Sequence, residues 1–258
     1  MKKLIIFLIL SFMGFANVNA QKSKVSYGLF NHVGIAASLG TDGIGLDVAA
    51  PVAPFAALRA GVTFWPKFKY NDTFTINDNN PTITPDVDIE GKLSVFDVKL
   101  LADLYPSKRG SFHFTAGLIF GNDNLLSAYN TSMFIKNPSM YGKLGLKLGD
   151  YRISTDKDGY VKADVKVNSF KPYVGIGFGR AVPRKSRVSV SCDIGVQFWG
   201  KPGLGAVVKD DWGEESYHKF KSSELDEYDD EDLKDALELA EKIVVFPVIN
   251  IRISGRIF

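Results

Sequence analysis

Eight strand-length segments alternate with connections of two very different sizes, and that rhythm restricts what this chain can fold into. The segments run over 28–39, 43–50, 55–65, 93–105, 111–122, 161–180, 188–200 and 243–258. Tight connections fall at 51–54, 106–110 and 181–187. Long polar connections fall at 66–92, 123–160 and 201–242, with one short exception at 40–42. An even strand number, short turns at one rim and long loops at the other are the pattern of an outer-membrane barrel. The expected class is therefore all-β: an eight-stranded antiparallel transmembrane barrel with long loops.

The start of the chain agrees with export. Met1-Lys2-Lys3 is followed by an apolar run over 4–15, and Val18-Asn19-Ala20 supplies small residues ahead of Gln21, as a signal-peptidase site requires. A membrane helix needs about 20 apolar residues, more than this run offers. Residues 1–20 read as a signal peptide and 21–258 as one barrel domain. Removing Lys2 and Lys3 leaves 31 − 2 = 29 basic residues against 29 acidic ones. A balance of zero gives no electrostatic case for nucleic acid. Cys192 is the one cysteine, so no intramolecular disulfide can form, and none sits at the cleavage point to accept lipid.

Successive strand residues point to opposite faces. Phe96, Val98, Leu100, Ala102 and Leu104 share one face, with Asp97, Lys99 and Asp103 opposite. Phe112 to Phe120, Val188 to Phe198 and Leu58 to Phe64 repeat the alternation. Two arrangements satisfy it: apolar residues outward in a membrane barrel, or inward in a soluble lipocalin-like barrel. Under the first, the lumen gathers Asp47, Asp97, Asp103 and Asp193 with Arg59, Lys99 and Arg252. An eight-stranded barrel is just wide enough for side chains to fill. Buried charges there must be paired, so these seven read as a structural plug, weighed against an ion or proton path. Trp65 and Trp199 stand where strands leave the hydrocarbon and read as interfacial aromatics.

Motifs that look chemical mostly dissolve on inspection. Gly175-Ile176-Gly177-Phe178-Gly179 alternates inside a strand and opens no helix, so it is no dinucleotide loop. His32, His113 and His218 lack metal-ligand spacing. Ser216, His218 and Asp211 could compose a triad only if folding brought them together. The acidic run 226–232 lacks the glycine hinge of a calcium loop. It reads instead as the solvated face of a short acidic helix over about 224–242, capped by Ser223 and preceding the last strand. Asn77-Asp78-Asn79-Asn80-Pro81 and Asp156-Lys157-Asp158-Gly159 carry turn chemistry, so the wall is expected to project beyond the loop-side rim as hairpins. No cofactor or metal is called for.

Lys171-Pro172-Tyr173-Val174-Gly175-Ile176-Gly177-Phe178-Gly179, Cys192-Asp193-Ile194-Gly195-Val196, Gly200-Lys201-Pro202, Phe246-Pro247-Val248 and Leu58-Arg59-Ala60-Gly61 resemble a family of small Gram-negative outer-membrane barrels. That family shares its architecture with the OmpA membrane domain, OmpW and opacity proteins. The resemblance implies fold and location and brings no catalytic or binding residue. Phe258, closing the last strand, is similar to the assembly signal of such barrels. The parity of Ile249, Ile251 and Ile253 misses it, so a bulge at Ser254-Gly255 is expected to restore the phase.

The functional expectation is a surface-exposed structural or interaction (adhesion) protein, with enzyme activity unassigned and a non-enzymatic role favoured. The expected partners are outer-membrane lipid, the barrel-assembly machinery and an extracellular partner held by the long loops. Alternatives are a membrane-embedded lipid-modifying enzyme and a narrow channel for small apolar solutes.

Overall fold

The structure, a computed structural model, describes residues 28–66, 68–75, 86–133, 135–141, 145–148, 151–156, 158–184, 186–209, 215–220, 239, 242 and 244–257. The signal peptide (1–20), Phe258, and the acidic helix except for Leu239 and Lys242 lie outside the described residues. In chain order the described strands are β1 (Gly34–Gly40), β2 (Gly43–Ala53), β3 (Ala56–Phe64), β4 (Phe68–Thr75), β5 (Asp86–Leu93), β6 (Phe96–Leu104), β7 (Phe112–Gly121) and β8 (Asn124–Asn130). They continue with β9 (Gly145–Leu148), β10 (Tyr151–Ser154), β11 (Lys162–Lys166), β12 (Phe170–Phe178), β13 (Val188–Phe198), β14 (Gly203–Lys209), β15 (Glu215–Lys219) and β16 (Val245–Arg256).

Eight of these close a barrel in the order β1-β16-β13-β12-β7-β6-β3-β2, every pair antiparallel. Aromatic and β-branched residues at alternate positions suit a half-covered strand, and here they decide which way the wall faces. Val190, Ile251 and Leu100 stand 64%, 56% and 53% exposed, whereas Asp103, His113 and Arg252 are 0–1% exposed. The apolar face is outward, which excludes the lipocalin-like arrangement. The β1–β2 turn clasps the last strand: Thr41 Oγ1 donates to the Pro247 carbonyl (2.9 Å) and accepts the Ile249 N–H (3.1 Å). Beside it, Asn250 Nδ2 donates to Asp42 Oδ1 at 2.9 Å.

On the loop side the wall continues as a second sheet, β4-β5-β8-β11-β14-β10-β9, with β15 on the free edge of β14. Its strands follow the order of β3, β6, β7, β12 and β13 beneath them, after short breaks such as Trp65-Pro66 and Ser94-Val95. The sheet has its own core. Val87 and Ile135 pack with Ile89, Met140, Tyr141 and Val161, and Ile153, Ala206 and Val208 pack with Phe220. A 3-10 turn, Pro138–Met140, is capped by Asn137 Oδ1, which accepts the Ser139 N–H at 3.1 Å.

Three local expectations are corrected. The segment 161–180 is two strands, because Val167–Ser169 breaks the ladder between β11 and β12. Asp156 does build a turn, its Oδ1 accepting N–H groups from Asp158 (2.9 Å) and Tyr160 (2.8 Å), with Gly159 at φ +87°. That turn does not close a hairpin, however, since β10 and β11 lie end to end along β14 instead of pairing with each other. Finally, Ser254 and Gly255 keep register against both β1 and β13, so there is no bulge there. The bulge of the barrel falls at Pro51–Ala53, where proline has no N–H for the ladder.

Close approach inside the wall makes one glycine test the packing. A Cβ on Gly117 would lie 2.2 Å from the Leu100 carbonyl oxygen and 2.7 Å from the Leu101 Cα. Gly117→Val should yield no heat-shifted gel band from refolded protein. Gly255→Ala, with nothing within 4 Å of the added carbon, should refold and migrate as the parent does.

Candidate functional site

The lumen is layered. At the turn-side end, Ala49, Ala57, Tyr105, Ala181 and Val182 form an apolar floor, and the Tyr105 hydroxyl accepts the Ala181 N–H at 3.0 Å. Further toward the loop side, Leu101, Ile119, Tyr173 and Val248 pack with Phe246. Charges are interleaved with these apolar groups: on β6, Asp97 and Lys99 stand loop-side of Leu101 and Asp103 turn-side of it, and the set is projected inward by odd-numbered positions of β2, β3, β6, β7, β12 and β13 and by even-numbered positions of β16.

Asp193 is the hub. Its Oδ2 lies 3.3 Å from Arg59 Nη1 and 3.0 Å from Arg252 Nη1, and its Oδ1 lies 2.8 Å from His113 Nε2. Arg59 Nη2 also donates to Asp103 Oδ1 at 2.8 Å, and Thr115 Oγ1 donates to the same oxygen at 2.8 Å. Two further pairs stand apart from the hub: Lys99 Nζ at 3.2 Å from Asp47 Oδ1, and Lys171 Nζ donating to Asp97 Oδ1 at 2.7 Å. All seven residues singled out by parity (Asp47, Arg59, Asp97, Lys99, Asp103, Asp193 and Arg252) thus sit inside the barrel wall, in contact with opposite charge. The space between Arg59, Lys99, Arg252, Tyr173 and Asn250 measures about 20 Å³, room for roughly one water. Gly177 lets this cluster form, since a Cβ there would meet Asp193 Oδ1 at 2.2 Å and His113 Nε2 at 2.6 Å.

Lys171 lies outside the expected charge set, while His113 and Thr115 share the inward parity expected for 111–122 without being counted among its charges. Lys171 shares the inward parity of Tyr173, Gly175 and Gly177 along β12, so counting back from those residues places it in the lumen. The two tryptophans are placed differently from expectation. Trp199 stacks on Phe246 (4.3 Å, 8°), donates from Nε1 to Gln197 Oε1 (2.9 Å) and lies 5.8 Å from Lys171 Nζ. It therefore covers the mouth of the lumen, on the inward parity it shares with Asp193 and Gln197. Trp65 is half-buried, edge-on to Phe68 at 6.2 Å and against Gly43. The outward ring at this rim consists of phenylalanines instead: Phe64, Phe96, Phe120, Phe170 and Phe198.

The loop-side sheet carries its own ion pairs. Glu90 accepts from Tyr129 and from Lys69 (3.1 Å), and these two hydrogen bonds hold its carboxyl below the usual range. Burial pushes the Asp164 carboxyl up, but hydrogen bonds from Ser127 (2.7 Å) and Asn124 (2.9 Å), with Lys162 nearby, outweigh it and leave the group lowered. Lys166 Nζ sits 4.0 Å over the Tyr217 ring. As for the triad, His218 packs edge-on against Phe220 at 5.0 Å, Ser216 is exposed and Asp211 lies outside the described residues.

Breaking one member of a buried pair leaves an uncompensated charge, at a cost of roughly 3–5 kcal/mol, whereas removing both is often near neutral. Lys99→Ala should therefore lower the unfolding temperature, and Asp47→Ala/Lys99→Ala should restore most of it. Arg252→Ala should also lower it, by exposing Asp193 to less positive charge. Thermal melts read by heat-shifted gel mobility check all three. The loop-side sheet should respond to pH separately. A carboxyl lowered in the folded state gives stability that is whole above its unfolded value, about 4, and lost as pH falls through the folded one. Protease sensitivity of the loop-side sheet should therefore rise below about pH 4 while the barrel band persists.

No family model matches the chain, and no curated protein does. Among solved structures it is similar to CarO from Acinetobacter baumannii, at 17% identity and TM-score 0.47 over 86% of this chain and 96% of that one. It is likewise similar to CarO2 from the same organism (16%, TM-score 0.46, 87% and 98%). A major outer membrane protein from Thermus thermophilus also matches (12%, TM-score 0.36, 87% and 98%). The reading of function rests on this chain's own residues.

Proposed function

We propose that this chain is a membrane-spanning barrel of a Gram-negative outer membrane with a structural or interaction role, its loop-side sheet serving as the contact surface. The observation that carries the reading is the pairing of an apolar outer wall with a lumen filled from end to end. Hydrocarbon offers no partners to an open sheet edge, so a closed barrel is the form a strand-built protein takes there. The ring Phe64, Phe96, Phe120, Phe170 and Phe198 fits one interfacial girdle, and Phe55, Phe112, Phe114 and Phe178 fit the other. The turn side, where β1 begins and β16 ends, then faces the periplasm, and the second sheet faces outward from the cell.

A role at the surface follows from what the lumen lacks. Paired charges interleaved with apolar side chains leave only about 20 Å³ of space among them and no continuous aqueous path, so transport through the barrel is disfavoured relative to recognition on a rigid scaffold. The second sheet, with its own core, holds polar side chains in fixed positions and could present them to a macromolecular partner outside the cell.

Three measurements test this reading. Leu100→Arg, in the middle of the outward band, should destabilise the barrel in lipid by about 2–4 kcal/mol, and a chain found soluble after membrane fractionation would overturn the placement. Ser216→Ala/His218→Ala should leave membrane lipid composition unchanged, and a changed lipid would favour the enzyme alternative. Planar bilayers should register no stable conductance, and steady single-channel steps would favour the conduit.

A further inference from the structure

The turn-side rim has a one-sided charge. Segment 104–112 brings Lys108 and Arg109, segment 178–190 brings Arg180, Arg184, Lys185 and Arg187, and segment 253–257 brings Arg256. Those segments, together with 28–33 and 50–56, contain no Asp or Glu. Part of this charge is structural bracing. Arg180 lies 4.3 Å over the Tyr105 ring and donates to the carbonyls of Gly110 (2.9 Å) and Lys108 (2.9 Å). Arg184 reaches the carbonyls of Lys108 and Pro54, and Arg256 donates to that of Pro183 at 3.1 Å. The three turns are thereby tied together by guanidinium groups. Lys108, Arg109 and Arg187 remain exposed on the braced rim.

Beside Lys108 the outer wall has a groove of about 430 Å³, lined by Phe55, Leu104, Tyr105, Pro106, Lys108 and Phe114. Phe55, Leu104 and Phe114 belong to the outward apolar face, so the groove opens sideways from the wall and a cation stands at its polar end. Apolar walls under a fixed positive rim match a molecule with a hydrocarbon chain and an anionic head.

We propose that this groove and rim bind an anionic glycerophospholipid of the bilayer leaflet on the turn side. An acyl chain lies against Phe55, Leu104 and Phe114, and the phosphate lies beside Lys108 and Arg109. The proposal rests on the membrane placement given above. It adds a lipid class and a leaflet, and it gives the turn side a function distinct from that of the loop-side sheet.

The test is native mass spectrometry of the purified full chain in neutral detergent, with equal amounts of phosphatidylglycerol and phosphatidylcholine of the same acyl chains. Retention should favour phosphatidylglycerol, by roughly fivefold for each cation engaged, and the preference should shrink as salt rises. Lys108→Glu/Arg109→Glu should bring the two lipids to parity, while Phe114→Ala should weaken retention of both. Dihexanoyl phosphatidylglycerol and inorganic phosphate should compete poorly. Equal retention of both lipids by the parent protein overturns the proposal. So does a preference that survives the double charge reversal, and so does competition by inorganic phosphate matching that of the long-chain lipid. If the reversal does not fold, Lys108→Gln/Arg109→Gln and the parent comparison decide the matter. A chain that fractionates as soluble and shows no heat-shifted band fails the membrane placement itself. An integrated, heat-shifted barrel without headgroup preference fails only the lipid site.

Discussion

The Asp193 carboxylate organises the interior. It meets Arg59 from β3, His113 from β7 and Arg252 from β16, so one side chain of β13 joins strands from across the barrel. A narrow barrel has to fill its lumen with whatever the inward positions supply, and in this chain they supply charge. Such a network is weak evidence of net stability, because apolar residues of the same volume could serve as well. Its sharper effect is on register. A one-residue slip of β13 would turn Asp193 and Gln197 out onto the apolar face of the wall and bring Val190, Ile194 and Phe198 into the lumen. The paired charges therefore penalise the wrong pairing more than they reward the right one.

Much of this was legible in the sequence, because the period of two is written into every barrel strand. The positions of all seven expected lumen charges came from counting alternate residues. Their partners did not, because Arg59 and Asp193 sit on non-adjacent strands and no local pattern relates them. Position along the chain was a poorer guide than parity. Trp199 was assigned to the rim by its position along the chain, yet the parity running from Asp193 through Gln197 continues to it and turns its ring over the lumen. Lys171 keeps the inward parity of Gly175 and Gly177 and is reached by the same count.

The loop-side sheet was legible only in part. Phe68 and Tyr70 announced β4, and the turn residues at 77–81 implied a returning strand. By contrast, β8, β11 and β14 mix Asn, Ser, Lys and Gly with apolar residues, so they resemble loops until their ladder partners are known. The small core of Val87, Ile135, Ile153, Val208 and Phe220 draws on segments far apart in the chain, which no window of sequence can join.

The closing seam of the barrel pairs Gly34 with Arg256, the first strand with the last. Bringing such distant residues together carries a loop-closure entropy that nearer pairings avoid, which slows folding. Until β16 arrives, the outer edges of β1 and β13 both lie bare, and a bare edge is a template for pairing with another chain. Closure is then a single late event for which the whole sequence must be present. A chain interrupted before β16 would carry two sticky edges and a half-open, charged lumen.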